Sequence, residues 1–319
     1  MKDKSKLGTE SYVGVRDFYP EDMAVQNYIF GVWRKLSESS GFVEYGASIL
    51  EPAELYKTKS GDEIANEQMF TFIDRGEREV ALRPEMTPTL ARMIAARRKS
   101  LKFPLRWYSI PNLFRYERPQ RGRKREHWQL NCDIMGIADI EAEVEIISLA
   151  HSIMKTFGAE DKDFEIRIND KKAPMKGLRE KRVQLTEEQE QRLLRLRDGK
   201  DKISNEEYSA GILKIVGENL DIDSEESDEV NLLINKLKEK GIENINFSPT
   251  LTRGFDYYTG VIFEVFDTNP ENKRSLFGGG RYDNLLEIFG AEPVPTVGFG
   301  MGDITIRDFL ETHNLPLHA

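Results

Sequence analysis

A single cysteine, Cys132, stands in 319 residues, which excludes internal disulfides and thiol-rich metal sites. Histidine is nearly as scarce. The four present (His127, His151, His313 and His318) show none of the spacings by which a structural zinc is held. No apolar run approaches the roughly 18 residues of a membrane-spanning helix, and the opening MKDKSKLGTESYVG lacks the apolar core of a secretory signal. A phosphate-binding P-loop is also missing: GGGRYD (278–283) has no Gly-Lys-Ser/Thr behind it, and no GxGxxG opens a crossover helix. That glycine cluster reads either as a turn beside a nucleotide's ring or ribose, or as a tight corner. Positive charge is in the minority. A net charge of −9 argues against indiscriminate nucleic-acid binding, while leaving room for a local basic patch. These absences leave a cytosolic protein as the expectation.

What is present is ample apolar residue (39%) and a heavily charged surface (32%), enough for one large globular domain and a smaller one. The organising stretch is Leu105–Gly136, which reads as a long β-hairpin. On its return limb Trp128, Leu130, Cys132 and Ile134 alternate with His127, Gln129, Asn131 and Asp133, so one face is packed and the other polar. The polar face aligns Arg115, Glu117, Gln129 and Asp133 beside a cationic tip, RPQRGRK, bent at Gly122. An Arg and several acid or amide groups next to a flexible basic loop suit a polyanionic substrate whose small polar part is fixed in a pocket.

Taken in order, Pro20 opens a helix that Gly41 stops, and Val43–Leu50 reads as one strand ending at Glu51-Pro52. A hairpin is expected around Asp74-Arg75-Gly76. After it, Pro84 and Pro88 keep Glu85 and Thr87 on a turn before a helix, where Thr87 also suits an ordinary N-cap. Ala142–Phe157 has helical periodicity and Phe164–Ile168 alternates as a strand. From 171 to 245 the chain turns charge-dense and helical, with capping boxes at Thr186–Gln189 and Ser204–Glu207 and a further helix near Ser227–Lys240. This reads as a small helical insertion between two parts of one domain, 1–170 and 246–319. The second part holds a sharp turn at Arg253-Gly254, a strand from Val261, a short helix from Tyr282, a glycine-rich strand Val297–Met301 and a last helix from Asp303.

Three of these segments carry a resemblance. FRYERPQRGRKREHWQ (114–129) resembles the second signature motif of class II aminoacyl-tRNA synthetases, in the form used by histidyl-tRNA synthetases. LTRGFDYYTG (251–260) is similar to that family's histidine-specific signature, and RPEMT (83–87) to the segment gripping the substrate's α-amino group. The resemblance implies an α+β fold, a mainly antiparallel sheet flanked by helices, in a homodimer whose interface motif is the first helix, the strand after it and Pro52. It implies ATP as substrate, with Mg²⁺, and histidine and the acceptor end of its tRNA as the other ligands. Arg253 and Arg115 would be the catalytic pair on the α-phosphate. Glu85, Thr87 and Gln129 would hold the ammonium end of histidine, with Met86 also among the histidine-binding residues; Asp133 and Tyr258 would read the imidazole, with Tyr257 packed beside them. Arg115, Glu117 and Arg123 would bind ATP, and Arg118 and Gln120 would meet the tRNA. The chemistry agrees. A carboxylate attacking a phosphate brings two anions together, and a fixed cation between them lowers that barrier. A ring with one donor and one acceptor nitrogen needs partners of both kinds.

Two departures accompany the resemblance. Class II enzymes usually carry an arginine for the γ-phosphate near the start of the last helix, where this chain has Thr305; Arg307, two residues on, faces elsewhere around a helix. The chain also stops just after that helix, so the match is to a catalytic core without the anticodon-reading domain. A rival expectation follows: a histidine-sensing regulatory subunit of ATP phosphoribosyltransferase, a synthetase paralogue that charges no tRNA. A sensor, however, needs neither the RYERPQ loop nor an α-phosphate cation.

Overall fold

The structure, a computed structural model, describes residues 8–57, 67–180, 183–200, 203–218, 226–252, 257–272 and 274–318. Helix α1 (Pro20–Ser39) has proline and two acids in its first turn and ends where Gly41 takes a φ of +81°. It buries Ile29, Val32 and Trp33. The strand expected over 43–50 is broken in two. β1 (Val43–Glu44) is an edge of the main sheet, whereas β2 (Leu50–Pro52) belongs to a second, small sheet. The reason is Arg83, almost wholly buried, whose Nη1 donates to the carbonyls of Ala47 (2.8 Å) and Ser48 (3.3 Å). A side chain thus satisfies backbone groups that a continuous ladder would have used.

After α2 (Glu54–Lys57), the hairpin of β3 (Phe70–Ile73) and β4 (Glu79–Leu82) turns where Asp74 accepts from the amides of Gly76 and Arg78. Helix α3 (Thr87–Arg97) takes Pro88 into its first turn, where a missing N–H costs nothing, so of the two residues expected on the turn only Glu85 precedes the helix. β5 (Leu105–Ser109), β6 (Asn112–Phe114) and β7 (Glu126–Met135) form the long ribbon, interrupted at Ile110-Pro111 because proline offers no ladder donor. Leu130, Cys132 and Ile134 are buried on its inner face, as their alternation requires. Then come α4 (Glu141–Thr156), closed by Gly158 at φ +96°, and β8 (Phe164–Asp170).

Helices α5 (Ala173–Glu180), α6 (Glu187–Asp198), α7 (Asn205–Val216) and α8 (Asp228–Glu239) follow. Both capping boxes are formed, at Thr186–Gln189 and Ser204–Glu207. The first three helices share a small apolar cluster of Met175, Leu178, Leu193, Tyr208 and Ile212. Helix α8 instead packs Val230, Leu233 and Leu237 into the main core. Packing therefore divides the charge-dense stretch, although its composition is continuous.

The chain returns through β9 (Ile245–Phe247), β10 (Val261–Asp267), β11 (Ser275–Arg281) and β12 (Thr296–Gly302) to α9 (Asp303–Thr312). The short helix expected from Tyr282 is a 3₁₀ helix that begins three residues later, Leu285–Phe289. Gly278, Gly279 and Gly280 lie inside β11, so neither a turn nor a corner describes them. Among the described residues the main sheet has nine strands in the order β1-β5-β7-β12-β11-β10-β8-β9, with β6 beside β7. Only β1–β5 and β8–β9 run parallel. Helices α1, α4, α8 and α9 cover one face. On the other face β7 sets Gln129, Asn131 and Asp133 beside the glycines of β11 and β12, and the site lies there.

Candidate active site

Three strands build the floor of the site, and glycine makes it possible. β7 presents Gln129, Asn131 and Asp133, which pair across to Gly302, Gly300 and Gly298 of β12. Gly300 and Gly298 pair in turn with Gly278 and Gly280 of β11. A Cβ on Gly298 would sit 2.0 Å from Asp133 Oδ1, and one on Gly300 would sit 2.3 Å from Gln129 Nε2. Side chains from β7 therefore lie across a surface stripped of its own. The result is a small pocket of about 110 Å³ lined by Glu85, Thr87, Arg115, Gln129, Asn131, Asp133, Tyr257, Tyr258 and Tyr282 with Gly278, Gly298, Gly300 and Phe299.

Glu85 is brought in by the two-proline turn and is 2% exposed, and Tyr257 Oη donates to it at 3.3 Å. The expected N-cap role of Thr87 is not realised. It is the first helical residue, Met86 occupies the cap without a side-chain bond, and the Thr87 side chain faces the pocket. Met86 itself is 1% exposed and does not line the cavity. Gln129 Nε2 donates to Asn131 Oδ1 at 2.6 Å, and Asn131 Nδ2 returns a bond to the Gln129 carbonyl. Tyr257, Tyr258 and Tyr282 pack ring against ring, with centroids 4.9 to 6.5 Å apart. The Tyr282 hydroxyl donates to Asp133. Burial pushes the Asp133 carboxyl up to about 7, and the Tyr282 bond opposes this.

Arg115 stands at the mouth. Its Nε is fixed by the Pro84 carbonyl at 2.9 Å, and its Nη groups have no acceptor among the described residues. Arg115, Gln129 and Gly300 also line an adjoining cleft of about 170 Å³ with Glu117, Arg123, Lys124, His127, Gly302 and Thr305. Arg123 pairs with Glu117 at 3.2 Å. Burial, aided by Arg115 and Arg16, drives His127 down to about 3, so its ring is neutral. Gln120 does not line this cleft; it faces a third and larger space. Arg118 is exposed beside the tip and lines none of the three cavities. Arg253 lies outside the described residues, so its distance from Arg115 is not a quantity of this structure. Its described neighbours flank the site: Thr252 lines the large cavity and Tyr257 the small pocket.

A family model for histidyl-tRNA synthetase matches residues 14–215 and 216–303. This chain belongs to the histidyl-tRNA synthetase family. It is 44% identical over 337 aligned positions to the histidine–tRNA ligase of Leptospira biflexa, spanning 99% of this chain and 77% of that protein. The ligase of Opitutus terrae is 39% identical, over 96% of this chain and 76% of its own length. Among solved structures, a histidine–tRNA ligase subunit from Alicyclobacillus acidocaldarius superposes with a TM-score of 0.76 at 20% identity, covering 97% of this chain and 99% of that one. Apo histidyl-tRNA synthetase from S. aureus gives 0.69 at 22% identity, covering 97% and 75%. At such identities these two show the fold, which is the α+β, mainly antiparallel architecture expected of the family.

Several site residues escaped the reading by sequence. Tyr282 and Asn131 have no role in it, the glycines of β11 read there as a turn beside a nucleotide or a tight corner, and those of β12 as a glycine-rich strand with no part in the site. One signal was present in the alternation Gly298, Gly300, Gly302, which empties one face of a strand.

Proposed function

We propose that the pocket holds histidine and the adjoining cleft holds ATP, in a chain that activates histidine and transfers it to its tRNA. The observation that carries this reading is the convergence of Glu85, Gln129, Asp133 and three tyrosines in one small pocket that shares Arg115 with the next cleft. Glu85, Thr87 and Gln129 take the ammonium group. Asp133 accepts from one imidazole nitrogen, and the tyrosine hydroxyls complete the ring's other side. A competing amino acid leaves these buried groups unpaired, which costs it several orders of magnitude in selection.

In the first step a carboxylate oxygen of histidine attacks the α-phosphorus of ATP; the bond to the bridging oxygen breaks and pyrophosphate leaves. The attacking carboxylate is already ionised, so no general base is required. Arg115 donates to the phosphoryl oxygens where charge builds, and Arg253 is its proposed partner. In the second step the tRNA's terminal hydroxyl attacks the adenylate carbonyl and AMP departs, with a phosphate oxygen as base. Arg118 and Gln120 of the hairpin tip meet the acceptor end. Magnesium, which the family resemblance implies, would come bound to ATP and screen the charge of its phosphates.

The reading includes the helical insertion at 171–245, a cytoplasmic setting and a homodimer. Val43, Ile49, Leu50, Phe72 and Ile73 are exposed on edge strand β1 and on and beside the small sheet, an apolar face suited to a second copy. No described helix is long and apolar enough to cross a membrane. The test is histidine-dependent exchange of pyrophosphate into ATP, followed by charging of histidine tRNA. Histidine binding with no exchange would move the chain to the sensor reading.

A further inference from the structure

The ATP cleft opens into a third cavity of about 930 Å³, with which it shares Gly122, Arg123, Leu276 and Thr305. Four guanidinium groups line this space, and three of them are committed to acids. Arg121 Nε is held by Asp308 at 2.9 Å. Arg123 pairs with Glu117, and Arg167 pairs with Glu165 at 2.9 Å while lying over the Phe266 ring. Arg274 differs. It has no carboxylate partner among the described residues. Its contact is the Gln120 side-chain amide at the hairpin tip, whose oxygen, once turned toward it, accepts from Nη1 at 3.1 Å and Nη2 at 3.3 Å.

The start of α9 supplies no cation to compete with it. Thr305 turns its hydroxyl back onto the carbonyls of Leu276 (2.7 Å) and Gly302 (3.1 Å). The hairpin tip then closes over it, since a Cβ on Gly122 would lie 3.9 Å from Thr305 Cγ2. Arg307 is turned away toward Asp22 and Glu311. A polyphosphate extending from the small pocket through the ATP cleft leaves past Gly122 and Thr305 into the large cavity. The guanidinium there whose charge no described carboxylate neutralises is that of Arg274, beside the first residue of β11.

We propose that Arg274 binds the terminal phosphates of ATP, and the pyrophosphate they become, with Gln120 aligning its guanidinium. The proposal rests on the ATP reading of the cleft given above. A guanidinium whose charge no described carboxylate neutralises can offer phosphate oxygens the N–H donors that Gln120 leaves over. Gln120 thereby gains a role in aligning the cation, besides the tRNA contact already proposed for it.

The test uses the whole chain and three probes: ATP, AMP and inorganic pyrophosphate. Arg274 is exposed, so Arg274→Gln leaves the core untouched. Losing a charge-assisted contact to a phosphate corresponds to roughly tenfold or more in affinity. Arg274→Gln is therefore expected to raise KM for ATP and for pyrophosphate in exchange by about tenfold, with KM for histidine and the affinity for AMP unchanged. Arg274→Lys should recover part of the loss. Unaltered ATP and pyrophosphate constants in Arg274→Gln, or an AMP affinity that falls in step with ATP, would overturn the assignment. Wild-type chain without histidine-dependent exchange would instead remove the functional reading beneath it, so the two failures are distinct.

Discussion

Tyr282, one residue past the end of β11, donates its hydroxyl to Asp133 of β7 across the intervening strand β12. The contact passes over Gly298, where any Cβ would strike the Asp133 carboxylate. Neither partner is near the other in sequence, and the strand between them contributes only an absence. The polar floor of the pocket is set by that arrangement.

The first expectation concerns pH. With the Asp133 carboxyl raised to about 7, the free protein carries it substantially protonated at pH 6 and ionised at pH 8. An imidazole N–H binds the ionised form, so kcat/KM for histidine should climb between pH 6 and 8. Asp133→Asn should lower it by about a hundredfold and abolish the climb beyond that due to histidine's own titration. Stability runs the opposite way. A raised folded-state value means that stability present below about pH 4 is lost as pH rises through 7. Asp133→Asn should therefore melt higher than wild type at pH 8 and with no advantage at pH 4, which thermal scans at the two pH values will check.

Glycine substitutions separate the floor from the scaffold. Gly298→Ala and Gly300→Ala force contacts of 2.0 and 2.3 Å on Asp133 and Gln129. Each should raise KM for histidine at least tenfold and cost about 1–3 kcal/mol in folding. Gly31, within α1, has nothing within 4 Å of its Cβ position. Gly31→Ala should stabilise by about 0.5–1 kcal/mol with kinetics unchanged. Urea melts and exchange kinetics on the three variants make the comparison; a neutral Gly298→Ala would contradict the floor described above.

The end of β11 is tied to α4 by a buried ion pair, Arg281 with Glu143, both almost wholly enclosed. Removing one partner leaves the other charge uncompensated, so Arg281→Met should cost about 3–5 kcal/mol. Reversing the loss with Glu143→Leu in the same chain would show the cost to be the orphaned charge.

His127 offers a second pH dependence. Its folded-state value lies near 3, below the ordinary 6.5, so stability present above pH 6.5 is lost as pH falls toward 3. His127→Phe keeps a ring in the cleft and removes that titration. The variant should show a shallower acid-side loss of melting temperature, with KM for ATP within about threefold of wild type. A steep acid limb retained in His127→Phe would assign the loss to other groups.

Much of this was legible in the chain. The period-2 alternation of 128–134 announced a ribbon with a packed and a polar face, and the capping boxes and glycine stops marked helix ends within a residue or two. Glu85, Thr87, Arg115, Gln129, Asp133, Tyr257 and Tyr258, drawn from three distant segments, do line one pocket. The strand at 43–50 failed because local pattern cannot foresee that a distant Arg83 will take its carbonyls. The glycine cluster failed because glycine signals permission, not destination: the same residue serves a turn, a corner or the bare centre of a sheet.

Local chemistry settled which elements form and which residue types face together along each one. That much is encoded in periodicity, caps and turn residues, whose forces act over a few positions. Which segments meet depended on long-range pairing: β12 running between β7 and β11, Tyr282 reaching Asp133, and Arg274 facing the hairpin tip. Such encounters depend on burying the whole sheet at once, and no short stretch of sequence contains that free energy.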